Sequence, residues 1–83
     1  MGRLVNLWKA EETATRVVYS YGRSPEQRGR IACTKADGEI SLVEPLPGVT
    51  EQDDKFFYRD LAMVKLRKLH RSGEFPDEAF MAT

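Results

Sequence analysis

The stretch IACTKADGEISLV, residues Ile31–Val43, carries the strongest local structural signal in the chain. Asp37-Gly38 separates two alternating runs, which is the pattern of a β-hairpin closed by a two-residue type I′ turn. In that register Cys33 lies opposite Leu42, and one face of the hairpin is apolar. The residues predicted to share that face are Ile31, Cys33, Ile40 and Leu42.

Two further strands are predicted upstream of the hairpin. The segment 13–21, TATRVVYSY, is rich in β-branched and aromatic residues and is typical of a strand. The segment 3–9 also fits a short helix, but we interpret it as a strand in which Trp8 shares a face with Leu4 and Tyr19. A polar loop over 22–29 joins these strands to the hairpin. The expected meander therefore has strands at about 3–9, 13–21, 29–36 and 39–44.

A long helix is predicted over about 51–72. Thr50 and the acidic residues after it are typical of a helix start, and Gly73 is typical of a helix end. Apolar residues then recur at helical spacing as one stripe formed by Tyr58, Leu61, Ala62, Leu66 and Leu69. The predicted fold is a single α+β domain over 1–83: a four-stranded antiparallel β-meander with one long C-terminal helix packed on one face, and a docked tail at 74–83.

The composition excludes several classes of protein. The 83-residue chain has 13 basic and 13 acidic residues, so it lacks the bulk positive charge of a non-specific nucleic-acid binder. Its single cysteine allows no internal disulfide, and no apolar run is long enough for a membrane span. No secretion signal is recognisable at the start. We therefore expect a cytoplasmic protein without a membrane partner.

Several apolar residues exceed what one helix on one sheet face can cover. Phe56 and Met63 lie off the apolar stripe of the helix, and the tail supplies Phe75 and Phe80. Either the tail covers the helix residues or another chain does. Together with Trp8 and Tyr19 on the sheet, these residues form the predicted protein interface. The leading hypothesis is a non-enzymatic protein-interaction module that binds a second copy, as a homodimer, or another protein.

A basic cluster ends the helix and supports an alternative hypothesis. Lys65, Arg67, Lys68 and Arg71 could contact phosphate groups, joined by Arg23, Arg28 and Arg30 from the preceding loop and strand. The same charges also complement the helix dipole and face solvent without any ligand. The alternative is a small nucleic-acid-binding regulator, although no recognised nucleic-acid motif is present.

Residues with catalytic or metal-binding chemistry are isolated in the sequence. Cys33 lies on an apolar strand face, where a thiol behaves as a small hydrophobe. His70 has no carboxylate or thiol at ligand spacing in the helix. Acidic pairs such as Asp53-Asp54 fit a helix start. We expect no enzyme activity, no catalytic residue, no cofactor and no metal.

The order LWKAEE, VVYSYG, RGRIACTKADGEISLV and then a helix ending in GEFPDEAFMAT resembles small single-domain bacterial proteins with no assigned activity. The resemblance spans most of the chain and is most distinctive at the Gly-Glu-Phe-Pro ending. It implies a compact domain standing alone, and it implies no site residue.

Overall fold

Five antiparallel strands form one sheet in the computed structural model, which describes residues 3–82. Their order across the sheet is β4-β3-β2-β1-β5. The strands are β1 (Leu4–Glu12), β2 (Arg16–Ser24), β3 (Gln27–Thr34), β4 (Ile40–Glu44) and β5 (Glu78–Ala82). One helix of 22 residues connects β4 to β5. The α+β class is therefore confirmed.

The predicted four-stranded meander with a C-terminal helix is wrong in two respects. Residues 78–82 of the predicted docked tail form a fifth strand, so the helix is not the last element. β5 pairs antiparallel with β1, with Leu4 opposite Ala82 and Trp8 opposite Glu78. β1 thus forms as a strand and lies inside the sheet. Pairing with β1 gives hydrogen-bond partners to the backbone groups on one side of the tail. A tail docked only through its side chains would leave those groups without partners.

The hairpin signal identified the correct elements but the wrong register. Cys33 pairs with Ile40 rather than Leu42, and Ile31 pairs with Leu42. Of the two predicted turn residues, Gly38 has positive φ (+75°) and Asp37 does not, so a type I′ turn at Asp37-Gly38 does not form. The chain instead turns over four residues, 35–38, and the Gly38 N–H donates to the Thr34 carbonyl at 2.8 Å. Because the slip is by two residues, the predicted apolar face is retained.

The faces of β1 and β2 also differ from the prediction. Trp8 pairs with Ser20, whereas Tyr19 pairs with Lys9, so Trp8 and Tyr19 lie on opposite faces. The predicted polar loop over 22–29 is shorter than expected, because β2 extends to Ser24 and β3 starts at Gln27. A register shift between Tyr21 and Ser24 accompanies this tight connection.

The predicted helix over 51–72 is confirmed, but its first half is not a regular α-helix. It begins with an α-helical turn at Glu51–Asp53, continues as a π-helix over Asp54–Arg59 and ends as an α-helix over Asp60–Ser72. The Thr50 hydroxyl accepts the Asp53 N–H at 3.1 Å, as the cap predicted. Gly73 (φ +79°) ends the helix by donating its N–H to the carbonyls of Leu69 and His70.

The core lies between the long helix and one sheet face. Leu61, Ala62, Leu66 and Leu69 of the predicted stripe are buried, and Tyr58 packs against the core while partly exposed. The buried sheet residues on this face are Val5, Leu7, Val17, Tyr19, Tyr21, Ile31 and Cys33. We call the opposite sheet face the open face, because the one helix of the described residues lies on the other side of the sheet.

Candidate functional site

Among residues 3–82, the backbone groups along the outer edge of β5 have no hydrogen-bond partner. The Lys9 N–H donates to the Asp77 carbonyl at 2.8 Å, in the same register that pairs β5 with β1. Hydrogen-bonded and non-hydrogen-bonded pairs alternate in an antiparallel ladder. Ala79 and Met81 therefore bond to β1, while the N–H and C=O groups of Glu78, Phe80 and Ala82 point away from the sheet. We call this row the β5 edge.

Apolar side chains flank the β5 edge on both sides of the sheet. On the open face Phe80 is 62% exposed and the adjacent Leu4 is 43% exposed. On the core face Ala79 and Met81 are only partly buried against the core. A shallow depression of about 400 Å³ lies beside Phe80 on the open face. Its lining includes Asn6, Trp8, Arg23, Pro25 and Phe80.

Trp8 and Arg28 cover the middle of the open face. They belong to β1 and β3, which β2 separates, yet the Arg28 guanidinium lies 4.3 Å from the centre of the indole ring. The residues of β2 that lie beneath them are small: Ser20 pairs with Trp8, and Gly22, which has no side chain, pairs with Asn6. Ser20 is consequently only 6% exposed. A cation stacked on an aromatic ring is a stabilising contact, so this part of the face is already occupied by the chain itself.

A second apolar surface lies on the first half of the long helix. Phe56 and Phe57 are 56% and 43% exposed, and their rings meet edge to face at a centroid distance of 5.0 Å. Arg3 donates to the Phe56 carbonyl at 3.0 Å and places its guanidinium 4.7 Å from the Phe56 ring centre. We call Phe56 and Phe57 the helix patch. It lies beside an open depression of about 410 Å³ lined by Lys55 and Asp60, among others.

A buried polar cluster fixes the first half of the helix to the sheet. The Tyr21 hydroxyl lies 2.9 Å from both carboxylate oxygens of Asp54, which is 1% exposed, and donates to them. The Leu46 N–H donates to the same carboxylate at 3.1 Å. Arg59 places Nη1 3.8 Å from it and donates through Nη2 to Glu51 at 2.5 Å. Burial, followed by the bond to Asp54, raises the pKa of the Tyr21 phenol.

Sequence reasoning missed this cluster. Asp54 was interpreted only as part of an acidic pair at a helix start, but it lies four residues before Tyr58 and seven before Leu61, on the apolar stripe. An acidic residue on the apolar stripe of the predicted helix was the sequence signal that indicated a buried polar cluster. The π-helical segment contributes as well, since its wider turn lets Asp54 and Arg59, five residues apart, both be buried.

The predicted interface residues are not brought together. Phe80 and Phe56 are well exposed, but they belong to the β5 edge and the helix patch respectively. Met63 and Phe75 are partly buried against the core. Tyr19 is fully buried on the core face, where its hydroxyl donates to the Pro76 carbonyl at 2.5 Å, and burial raises its pKa to about 12. Trp8 is half-buried on the open face.

The predicted basic cluster is divided between the two sides of the molecule. Lys65, Arg67, Lys68 and Arg71 belong to the helix that covers the core face. Arg28 and Arg30 lie on the open face, and Arg23 is exposed at its end. Arg30 is within 3.6 Å of the Glu44 carboxylate, which neutralises part of its charge. No single surface carries all seven cations.

The chemically reactive side chains have structural contacts. Cys33 is fully buried, and burial, followed by the charge of Asp37, raises the pKa of its thiol. His70 Nε2 lies 2.9 Å from the Lys35 carbonyl, and the imidazole packs against Gly38. The His70 ring therefore contacts the turn between β3 and β4. Within residues 3–82, no group of three or more His, Cys, Asp or Glu side chains is arranged to bind a metal.

Family models, curated proteins and solved structures yield no match to this chain. The resemblance to small bacterial proteins therefore adds no residue to the candidate site. In the part of the chain that the structure describes, no helix is both long and apolar enough to cross a membrane.

Proposed function

We propose that this protein is a non-enzymatic protein-interaction module that accepts an extended protein segment at the β5 edge. The observation that carries the proposal is the outward row of backbone groups at Glu78, Phe80 and Ala82. An added strand would bond to these groups and extend the sheet by one strand. Affinity would come from the backbone bonds, and specificity from the side chains on either face.

The side chains beside the β5 edge suit such a segment. An incoming strand would direct alternate side chains to the two faces of the sheet. On the open face they would contact Phe80, which is the most exposed large apolar residue in the described chain. On the core face they would contact Met81 and Ala79, at the rim of the core. Both contacts remove apolar surface from water, which favours association.

The other edge of the sheet is less suited to strand addition. β4 pairs with β3 through a register shift between Arg30 and Ile31, and Pro45 follows its last residue directly. Irregular pairing and proline are devices by which proteins protect sheet edges. β5 has a regular register with β1 and contains neither proline nor a basic residue.

The expectation that the protein is not an enzyme rests on the surroundings of its reactive groups. Cys33 has a raised thiol pKa, which disfavours the nucleophilic thiolate. Asp54 is held by three neighbours inside the core. The two depressions described above are open, and Cys33 is not among the residues that line them.

The experiment is a fluorescence-anisotropy titration with a labelled peptide of the sequence DEAFMAT, which can pair with the β5 edge. Saturable binding is expected, while the matched peptide DEAPMAT, with proline at its centre, should bind at least about tenfold more weakly because it lacks one donor and the phenyl ring. The protein variant Ala82→Pro should also bind more weakly, since it removes an outward N–H and no bond to β1. Equal binding of both peptides would contradict strand addition.

The second candidate function is nucleic-acid binding on the open face. Arg28 stacked on Trp8, with Arg23 and Arg30 nearby, combines cations with an aromatic ring, as single-strand binding surfaces do. Binding of a labelled single-stranded oligonucleotide that weakens steeply from about 50 to 200 mM salt, and is lost in Arg23→Glu, would favour this function. Arg67→Glu on the opposite side is the matched control.

A further inference from the structure

We infer that the segment accepted at the β5 edge is β5 of a second copy of this chain, so that the two sheets join into one continuous ten-stranded sheet. The inference rests on the proposed function and identifies its partner. The two strands run antiparallel about a two-fold axis at Phe80. Such a closed, symmetric contact is the commonest form of self-association among soluble proteins.

The backbone geometry fits this register. A two-fold axis at Phe80 places Phe80 opposite the partner's Phe80, and Glu78 opposite the partner's Ala82. These are the residues whose N–H and C=O groups point outward from β5, so all of them find partners at once. The contact would contain about six backbone hydrogen bonds, two for each pair.

Side-chain sizes are complementary in the same register. On the core face, the large Met81 lies opposite the small side chain of the partner's Ala79, and the pair occurs twice. Both positions are partly buried already, so pairing would extend the core across the joined sheets. On the open face the two exposed phenyl rings become neighbours, which is a favourable cross-strand pair.

Electrostatics favour this register over the neighbouring one. With the axis at Phe80, the acidic Glu78 faces the uncharged Ala82 of the partner subunit. A shift of the axis to Glu78 would set two carboxylates directly opposite each other, which is destabilising. The formal net charge of the chain is zero at pH 7, so long-range repulsion does not oppose association.

Disulfide trapping tests the register. Glu78→Cys and Ala82→Cys proteins, mixed and oxidised, should form a disulfide-linked dimer, because opposite residues of paired strands lie about 5.5 Å apart at Cα. Each variant oxidised alone should stay unlinked, because its two cysteines would lie about 13 Å apart along the strands. The native Cys33 does not interfere, since it is fully buried. Linkage in the single variants equal to that in the mixture would overturn the register.

Sedimentation equilibrium tests whether the partner is a second copy of the chain. The unmodified chain should show a reversible monomer–dimer equilibrium, and Ala82→Pro should raise the dissociation constant about ten- to a hundredfold through two lost hydrogen bonds. Phe57→Ser on the helix patch is the matched control and should leave it unchanged. A dimer insensitive to Ala82→Pro, or sensitive to Phe57→Ser, would overturn the inference.

The two proposals can fail separately. A chain that stays monomeric to millimolar concentration while binding the DEAFMAT peptide would overturn the second copy as partner and leave strand addition standing. A monomeric chain that also fails to bind the peptide would overturn both.

Discussion

Replacing Tyr21 with phenylalanine should destabilise the protein more than any other loss of a single hydroxyl group from its core. The hydroxyl is 2.9 Å from each carboxylate oxygen of Asp54. Without it, the buried carboxylate keeps the Leu46 N–H at 3.1 Å and Arg59 Nη1 at 3.8 Å. A hydrogen bond to a charged group contributes about 1.5–3 kcal/mol, and a buried group left underbonded adds to the loss. We therefore expect the free energy of unfolding to fall by about 2 kcal/mol.

Tyr19→Phe provides a matched control. Tyr19 lies two residues away on the same strand and face, and both tyrosines are fully buried. Its hydroxyl donates to a neutral carbonyl, that of Pro76, so its loss should cost about 1 kcal/mol. The two substitutions delete the same atom, so the difference between their losses in free energy of unfolding isolates the effect of the charged acceptor.

Urea unfolding followed by circular dichroism gives both free energies, and thermal unfolding provides a second measure. For a domain of this size, 1 kcal/mol corresponds to about 4–8 °C in Tm, so Tyr21→Phe should lower Tm by about 8–16 °C. A double-mutant cycle with Asp54→Ala should give a coupling energy of at least about 1 kcal/mol. If Tyr21→Phe costs no more than Tyr19→Phe, the carboxylate is not the acceptor that secures the first half of the helix.

Three further predictions concern the loop, the thiol and the ion pairs. In urea unfolding, Gly38→Ala should destabilise the protein more than Gly73→Ala. Both glycines have positive φ, but only at Gly38 would the new Cβ lie 2.8 Å from the His70 ring. Equal losses of about 1 kcal/mol, which the backbone conformation alone explains, would contradict a clash. Cys33 should react with a thiol reagent only after unfolding, because it is buried and its thiol pKa is raised; reaction in native buffer at the rate of the unfolded chain would refute this. Lys35 and Lys9 donate to the Glu12 carboxylate at 2.8 and 2.9 Å and lower the pKa of Glu12 to about 2. The contribution of Glu12 to stability should therefore be complete above pH 4.5 and be lost as the pH falls towards 2. The Glu12→Gln protein should lack that part of the pH dependence.

The sequence was most informative where local rules act. Thr50 and Gly73 bracket the helix correctly, because each satisfies backbone groups within a few residues. The hairpin face was also correct, since alternation survives a slip of two residues. The register was not, because a glycine able to adopt positive φ can close loops of more than one length, and here Gly38 closes a four-residue turn.

Non-local pairing explains what the sequence did not reveal. Residues 78–82 are too few for a strong periodic signal, and their strand forms only because β1 offers a free side. The candidate site is a property of that pairing, since it decides which backbone groups of Phe80 point outward. The buried contact of Asp54 was missed for a related reason, since its partner Tyr21 lies 33 residues away in sequence.

The stack of Arg28 on Trp8 has a spectroscopic consequence. Trp8 is the single tryptophan of the chain, so the intrinsic emission arises from one indole whose ring lies under a guanidinium group on the open face. A ligand that binds across this face must displace or cover Arg28, and the emission would shift. A strand added at the β5 edge lies two strands away from Trp8 and does not have to displace Arg28. The emission wavelength of the unlabelled protein should therefore distinguish the two candidate functions.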